Sequence, residues 1–253
     1  ENYLKGKEQY SKYTEKGHRE AIKYHKQALV VDPNYTLAYA ELGNAYAQLF
    51  NITKEVSFKE LGFQSVEKAL AINPDLAEAY KARGLLKEYT GQLKKSLEDN
   101  LKAVNLKPGY TDAISNVGLL YFNFGDLSKS YILFKKASVL DPNHRYRAWY
   151  QSIPLFIMNE NDSAIKELEK GLEKISDSYV MRSALFFYHL NNGDYKEAKS
   201  MIDELSEVRP DDRRILELWS LYHLMQGEYE EGVKMMTTQV PYPTEYSQLL
   251  LAQ

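Results

Sequence analysis

The sequence contains no cysteine. That excludes disulfides, thiolate metal sites and cysteine nucleophiles, and it fits any redox compartment. No run of about 18 apolar residues occurs, so nothing reads as a membrane span and no membrane insertion is expected. Charge of one sign is missing too. Lys and Arg total 32 against 35 Asp and Glu, a net charge of −3, which is too balanced to point to nucleic acid or an anionic surface. The five histidines form no HExxH or other close pair, and there is no P-loop, no GxGxxG and no local Ser-His-Asp grouping. Enzyme activity, a metal and a cofactor are therefore not expected. The chain opens at Glu1 with neither an initiator Met nor a signal peptide. It is read as part of a longer or processed protein. The compartment stays open between cytoplasm and periplasm.

What is present is a period. Pro33, Pro74, Pro108, Pro142 and Pro210 each follow an amphipathic stretch, at spacings of 41, 34, 34 and 68 residues. The segments ending in the first four are alike: KQALVVDPNY, EKALAINPDL, LKAVNLKPGY and KKASVLDPNH. Small residues keep the same phase. Ala21, Gly62, Ser96, Ser130, Ala164, Ala198 and Gly232 form one series, Ala28, Ala69, Ala103, Ala137 and Gly171 a second, and Gly43, Gly84, Gly118 and Ser152 a third. Antiparallel helices approach closely only where the side chains at their crossing are small. Gly91, Gly125, Gly193 and Gly227 suit helix ends that need a left-handed residue, and proline ends the second helix of each pair. His189 and His223 stand 34 residues apart at a packing position, which predicts buried, hydrogen-bonded imidazoles.

These marks resemble the tetratricopeptide repeat. The match rests on Tyr39, Leu42, Gly43 and Tyr46, then Gly84, Ala103 and Pro108, then Gly118, Tyr121, Ala137 and Pro142. The resemblance implies an all-α fold, a right-handed superhelical solenoid of about seven antiparallel helix pairs. The repeats are placed at about 1–34, 35–75, 76–109, 110–143, 144–177, 178–211 and 212–243, in a single solenoid domain over 1–253. Residues 244–253 are expected to form a capping helix begun by Thr244. The opening block, from YLKGKEQY to AYAQL, resembles the repeat regions attached to bacterial adenylate cyclases, winged-helix regulators and Ser/Thr kinases. On that analogy the chain is the interaction or sensory region of a larger bacterial signalling protein.

The resemblance also implies that the first helix of each pair lines a concave groove, through positions 2, 5, 6, 9, 12 and 13 of the repeat. In the third copy these include Lys81 and Tyr89, and in the fourth Asn116 and Phe122. In the fifth they are Tyr146, Trp149, Tyr150, Ile153, Phe156 and Ile157, an entirely apolar or aromatic stripe at helical spacing. Tyr and Trp suit partner anchoring because they bury large areas with few rotors to freeze. A slip of one residue would instead turn the stripe into core, with Ile153 rather than Ser152 at the crossing. Pro154 is expected to kink or interrupt this helix. Lys81 and Asn116 fit two positions of the carboxylate clamp of co-chaperone relatives, but Leu85, Tyr146 and Tyr150 occupy the rest, so the clamp is incomplete. The expected partner is a protein or peptide in the groove, contacted by Lys81, Tyr89, Asn116, Phe122, Tyr146, Trp149, Tyr150, Ile153 and Phe156. A homo-oligomer and a small molecule held in an aromatic groove pocket are the alternatives.

Overall fold

A computed structural model of the chain describes residues 1–142, 144, 146–210 and 212–235. Among them are fourteen α-helices and no strand. They run in chain order: α1 (Asn2–Tyr10), α2 (Glu15–Val31), α3 (Thr36–Thr53), α4 (Val56–Ile72), α5 (Ala77–Tyr89), α6 (Leu93–Leu106), α7 (Thr111–Asn123), α8 (Leu127–Leu140), α9 (Arg147–Ile157), α10 (Asn161–Lys174), α11 (Tyr179–Asn192), α12 (Tyr195–Val208), α13 (Arg213–Met225) and α14 (Tyr229–Lys234). Odd-numbered helices pair with the even-numbered helix that follows. The fold is an all-α solenoid built of these pairs. The expected capping helix at 244–253 lies outside the described residues.

Sequence signals explain the punctuation. Gly91, Gly125, Gly193 and Gly227 take φ of +78° to +83° at the turns inside pairs, a region open to glycine at no steric cost. Asn159 holds the equivalent turn after α9 with φ +61°. Proline stands two residues past α2, α4, α6, α8 and α12, while Ser176 takes that place after α10. The second pair is the long one. Its seven extra residues lengthen both helices, to 18 residues in α3 and 17 in α4, against 13 and 14 in α5 and α6.

Two compact units divide the chain, Glu1–Leu140 and Asp141–Gln253. In the first, the core is built on small residues at helix crossings. A Cβ added at Gly43 would lie 2.4 Å from Val66 Cγ2, and one at Gly62 would lie 2.7 Å from Leu86 Cδ2. Ala40, Ala47, Val66, Ala69, Ala79, Ala82, Leu85 and Leu86 fill the interior around these contacts. Asp99 is buried between α5 and α6 and takes a two-pronged contact from Arg83, Nε to Oδ2 and Nη2 to Oδ1 both at 2.9 Å, plus Lys87 Nζ at 2.6 Å. In the second unit, α11, α12 and α13 enclose Phe186, Leu190, Ala198, Ile202, Leu205, Ile215, Leu218 and Leu221. A Cβ at Gly171 of α10 would meet Ala148 Cβ at 2.4 Å, so α9 and α10 also cross in contact.

The histidine expectation is corrected in part. His189 and His223 are half-buried near the C-terminal ends of their helices, where each faces an acid five residues on. His189 Nδ1 is 3.5 Å from Asp194 Oδ2, and His223 Nδ1 bonds to Glu228 across the glycine turn. A residue at a helix C-terminus is closer to the turn than to the core, which the 34-residue spacing alone does not show. The fully buried imidazoles are His18 and His25 of α2.

Candidate functional site

A concavity of the second unit is lined by the first helices of three successive pairs. It measures about 870 Å³. From α9 come Trp149, Ile153, Phe156 and Ile157. Opposite, α11 contributes a full length of wall from Tyr179 to Asn191, and α13 adds Arg214, Glu217, Leu218, Leu221 and Met225. At the helical rise of 1.5 Å per residue the α11 wall runs about 18 Å.

Why α9 shows this face follows from its phase. Ser152 is fully buried, its hydroxyl donating to Trp149 O at 2.8 Å and lying 3.1 Å from Tyr188 Oη. Ser152, not Ile153, therefore occupies the crossing. Arg147, Gln151, Ser152, Pro154 and Leu155 turn inward, while Tyr146, Trp149, Tyr150, Ile153 and Phe156 are half-buried and Ile157 is exposed. Pro154 does not interrupt the helix, which continues to Ile157. The ring removes one bond to the carbonyl of Tyr150, and Met158 N still closes on Pro154 O at 3.0 Å. Aromatic contact ties the stripe to α11. Phe156 stacks on Tyr188 with centroids 4.2 Å apart and planes 9° apart. Burial raises the Tyr188 phenol above its ordinary pKa, opposed by the Ser152 hydrogen bond. Tyr146 and Tyr150 pack on Trp149, at 6.4 and 5.0 Å, without lining the cavity.

The polar groups of this groove sit mainly at one end or already have partners. Ser183 donates to Val180 O, Arg214 grips Asp212 through Nε and Nη2, and Glu217 lies 3.5 Å from Arg213. Apart from Asn191 the remaining lining is aliphatic or aromatic, and it suits apolar or aromatic side chains rather than charge.

The first unit presents a different face. Lys81 of α5 is buried at 7% exposure, not held out to solvent, and Nζ donates to Asn44 Oδ1 at 3.2 Å. Asn44 Nδ2 in turn donates to Glu41 Oε2 at 3.1 Å. Burial opposes the ammonium, but Tyr10, Tyr110, Asp112 and Glu41 outweigh it and hold its pKa above the ordinary value. Tyr89 Oη donates to Gln48 Oε1 and Gln48 Nε2 to Tyr10 Oη, both at 3.3 Å. A buried oxygen of Glu88 meets no partner, and burial raises that carboxyl, with Lys81 opposing. Asn116 is turned towards α6, donating to Asn100 Oδ1 at 3.1 Å, and Phe122 is half-buried at the end of α7. The nine expected contact residues are thus divided. Lys81 and Tyr89 share one polar cluster, Asn116 and Phe122 lie apart from it, and Trp149, Ile153 and Phe156 meet in the apolar groove.

Reading from the stripe alone misses α11 and α13. The signal was available. Stepping 34 residues from the α9 stripe gives Val180, Ser183, Ala184, Phe187, Leu190 and Asn191, every one of which lines the groove. A second step gives Arg214, Glu217, Leu218, Leu221, Leu224 and Met225, all of which line it except Leu224.

With the helix pairs and this groove in hand, comparison with known proteins is direct. No family model matches the chain. Tetratricopeptide repeat protein 6 of Homo sapiens is 28% identical over 126 residues, 47% of this chain and 21% of that protein. The crystal structure of a tetratricopeptide repeat protein from Parabacteroides merdae superposes with a TM-score of 0.64 at 17% identity, covering 99% of this chain and 98% of that one. YrrB, described as a tetratricopeptide-repeat protein with an unusual peptide-binding site, gives 0.54 at 18% identity over 74% of this chain and 96% of its own. The chain spans about a fifth of the length of the curated relatives it matches. Fold and relatives together define the class of architecture: the chain has the helix-pair solenoid fold seen in tetratricopeptide-repeat proteins.

Proposed function

We propose that the chain is a non-catalytic interaction module whose second unit takes a protein segment in the groove of α9, α11 and α13. The observation that carries this is the shared lining of three successive first helices, most of it aliphatic or aromatic. Trp149, Phe156, Phe187 and Tyr188 supply large, rigid contact area on one side of the segment and its neighbours supply aliphatic contact on the other. The groove favours a segment with apolar anchors over one read by charge. The peptide-binding description attached to YrrB supports the same use of the fold. The resemblance of the opening block further suggests the setting, an interaction or sensory region within a larger bacterial signalling protein.

Selection of displayed peptides on the immobilised chain tests the proposal. Enriched peptides should carry two or more apolar anchors, and Trp149→Ala or Phe187→Ala should weaken their binding at least tenfold. If no peptide is enriched, or if enriched peptides bind both variants unchanged, the groove is not the contact surface. The volume supports a second reading, because 870 Å³ lies within the range of small-molecule cavities. Stabilisation by metabolites in a thermal-shift screen, with none by peptides, would select it. Sedimentation over a range of concentrations addresses the homo-oligomer, which a constant monomer mass would rule out.

A further inference from the structure

Helix α1 rests on two histidines buried beneath it. His18 and His25 of α2 are 1% and 0% exposed. Both ring nitrogens of His25 and Nδ1 of His18 are buried without a hydrogen-bond partner. Their contacts are aromatic and steric. Tyr3 of α1 lies over His25 at 5.7 Å, Tyr10 over His18 at 5.1 Å, and Tyr13 meets the edge of His18 at 6.5 Å. Gly6 is pressed so closely on the His25 ring that an added Cβ would stand 2.4 Å from Cε1. A neutral imidazole serves here as a flat, nearly apolar surface. An imidazolium would be a buried cation with no acceptor.

The groups around the two rings offer no rescue. From α1 they are Tyr3, Lys7 and Tyr10, of which the charged one is a cation that itself opposes protonation of His25. From the turn between α1 and α2 comes Tyr13, and before α3 comes Tyr35, stacked on Tyr3 at 5.1 Å. The titratable side chains of α3 are Tyr39, Glu41 and Tyr46. Glu41, the carboxylate among them, already accepts from Asn44.

We infer that α1 is an acid-released clasp, docked while His18 and His25 are neutral and detached when they take up protons. Detachment has a defined consequence. Tyr10 leaves Gln48, and with it goes the side chain that packs beside Lys81, so the polar face of α3 and α5 becomes accessible. With only nine residues, α1 has too few hydrogen bonds to persist as a free helix, so release and unfolding of α1 are one event.

The sign follows from linkage. Burial, helped by Lys7, pushes His25 down to about 4 from 6.5, and burial lowers His18 in the same direction. The detached state binds protons more readily. Docking is therefore at full strength well above pH 6.5 and weakens as pH falls through 4, towards a limit of roughly 300-fold from His25 alone. This inference concerns the first unit and stands or falls separately from peptide binding by the second.

Because the chain has no cysteine of its own, spin labels can be placed cleanly at Lys5→Cys on α1 and Lys23→Cys on α2. Pulsed electron-spin distance measurements from pH 8 to pH 4 should show a narrow distribution that broadens below about pH 6. The same labels in a His18→Phe, His25→Leu chain should stay narrow. A wild-type distribution unchanged down to pH 4 overturns the inference, and so does equal broadening in the histidine-free chain. If that variant does not fold, the ring resonances of His25 in the wild type decide. A midpoint near 4 that tracks the broadening supports the clasp, and one at 6.5 or above refutes it.

Discussion

The first helices of the two units stand on one repeat, 34 residues per step from α5 onward, yet they present opposite chemistry. In the first unit α3 and α5 bury an ammonium, a carboxylate and two amides in a chain running Lys81–Asn44–Glu41, with Tyr10–Gln48–Tyr89 beside it. In the second unit α9, α11 and α13 show Trp149, Ile153, Phe156, Phe187 and Leu221 around an open cavity. The scaffold beneath is the same, with small residues at the crossings and left-handed turns between helices. The repeat therefore fixes which positions face the groove and leaves their chemistry free. Polar residues facing it close on one another, whereas apolar residues facing it cannot, and they leave a surface that gains by being covered.

The largest expected effects test the sameness of the scaffold. Leu86→Ala in the first unit and Leu168→Ala in the second remove fully buried side chains. Each should cost about 2–5 kcal/mol in chemical denaturation, and a large difference between the two would mean that one unit is loosely packed. The next test separates the two faces. Lys81→Met should destabilise by about 1–3 kcal/mol, because Asn44 loses its donor. Adding Asn44→Leu should deepen the loss, because the buried Glu41 carboxylate then keeps neither its amide donor nor the nearby cation, as a double-mutant cycle would show. If the single change is harmless, the polar face is not a closed network.

Trp149→Ala sharpens the contrast from the other side. The indole is half-buried, so stability should fall by about 1 kcal/mol, while affinity for a groove peptide should fall by about 2 kcal/mol or more. A collapse of the melting temperature with affinity unchanged would place Trp149 in the core. The smallest effect concerns a cap at the far edge of the groove. Asp212 accepts from Arg214 N at 3.0 Å at the start of α13, and the Arg214 guanidinium holds its carboxyl below the usual range. The folded state thus binds this proton less readily, so the contribution is present above the ordinary Asp pKa and is lost as pH falls through the depressed one. Asp212→Asn should cost a few tenths of a kcal/mol at pH 7 and nothing at pH 2, by thermal melts at both.

Architecture was readable in the sequence because close helix crossings demand small side chains at a fixed interval, and Gly43, Gly84, Gly118 and Ser152 display that demand. The phase of α9 was readable for the same reason, since Ser152 and Ile153 cannot both fill one crossing. What stayed hidden depends on neighbours distant in sequence. Lys81 looks like a surface lysine until Asn44, 37 residues earlier, is brought against it. His189 and His223 look like core aromatics until the glycine turn delivers Asp194 and Glu228. His18 and His25 share the face of α2 that carries Ala21 and Ala28, but that phase does not show that α1 covers them with aromatic rings instead of hydrogen-bond partners.

One feature of the turns has a genetic corollary. Gly91, Gly125, Asn159, Gly193 and Gly227 all take positive φ and follow one another at intervals of 34 residues. An in-frame duplication or loss of 102 nucleotides between two such turns would add or remove one helix pair and leave every other groove position in register. Recombination among repeats could lengthen, shorten or reshuffle the two faces in single steps, with no search through partly folded forms.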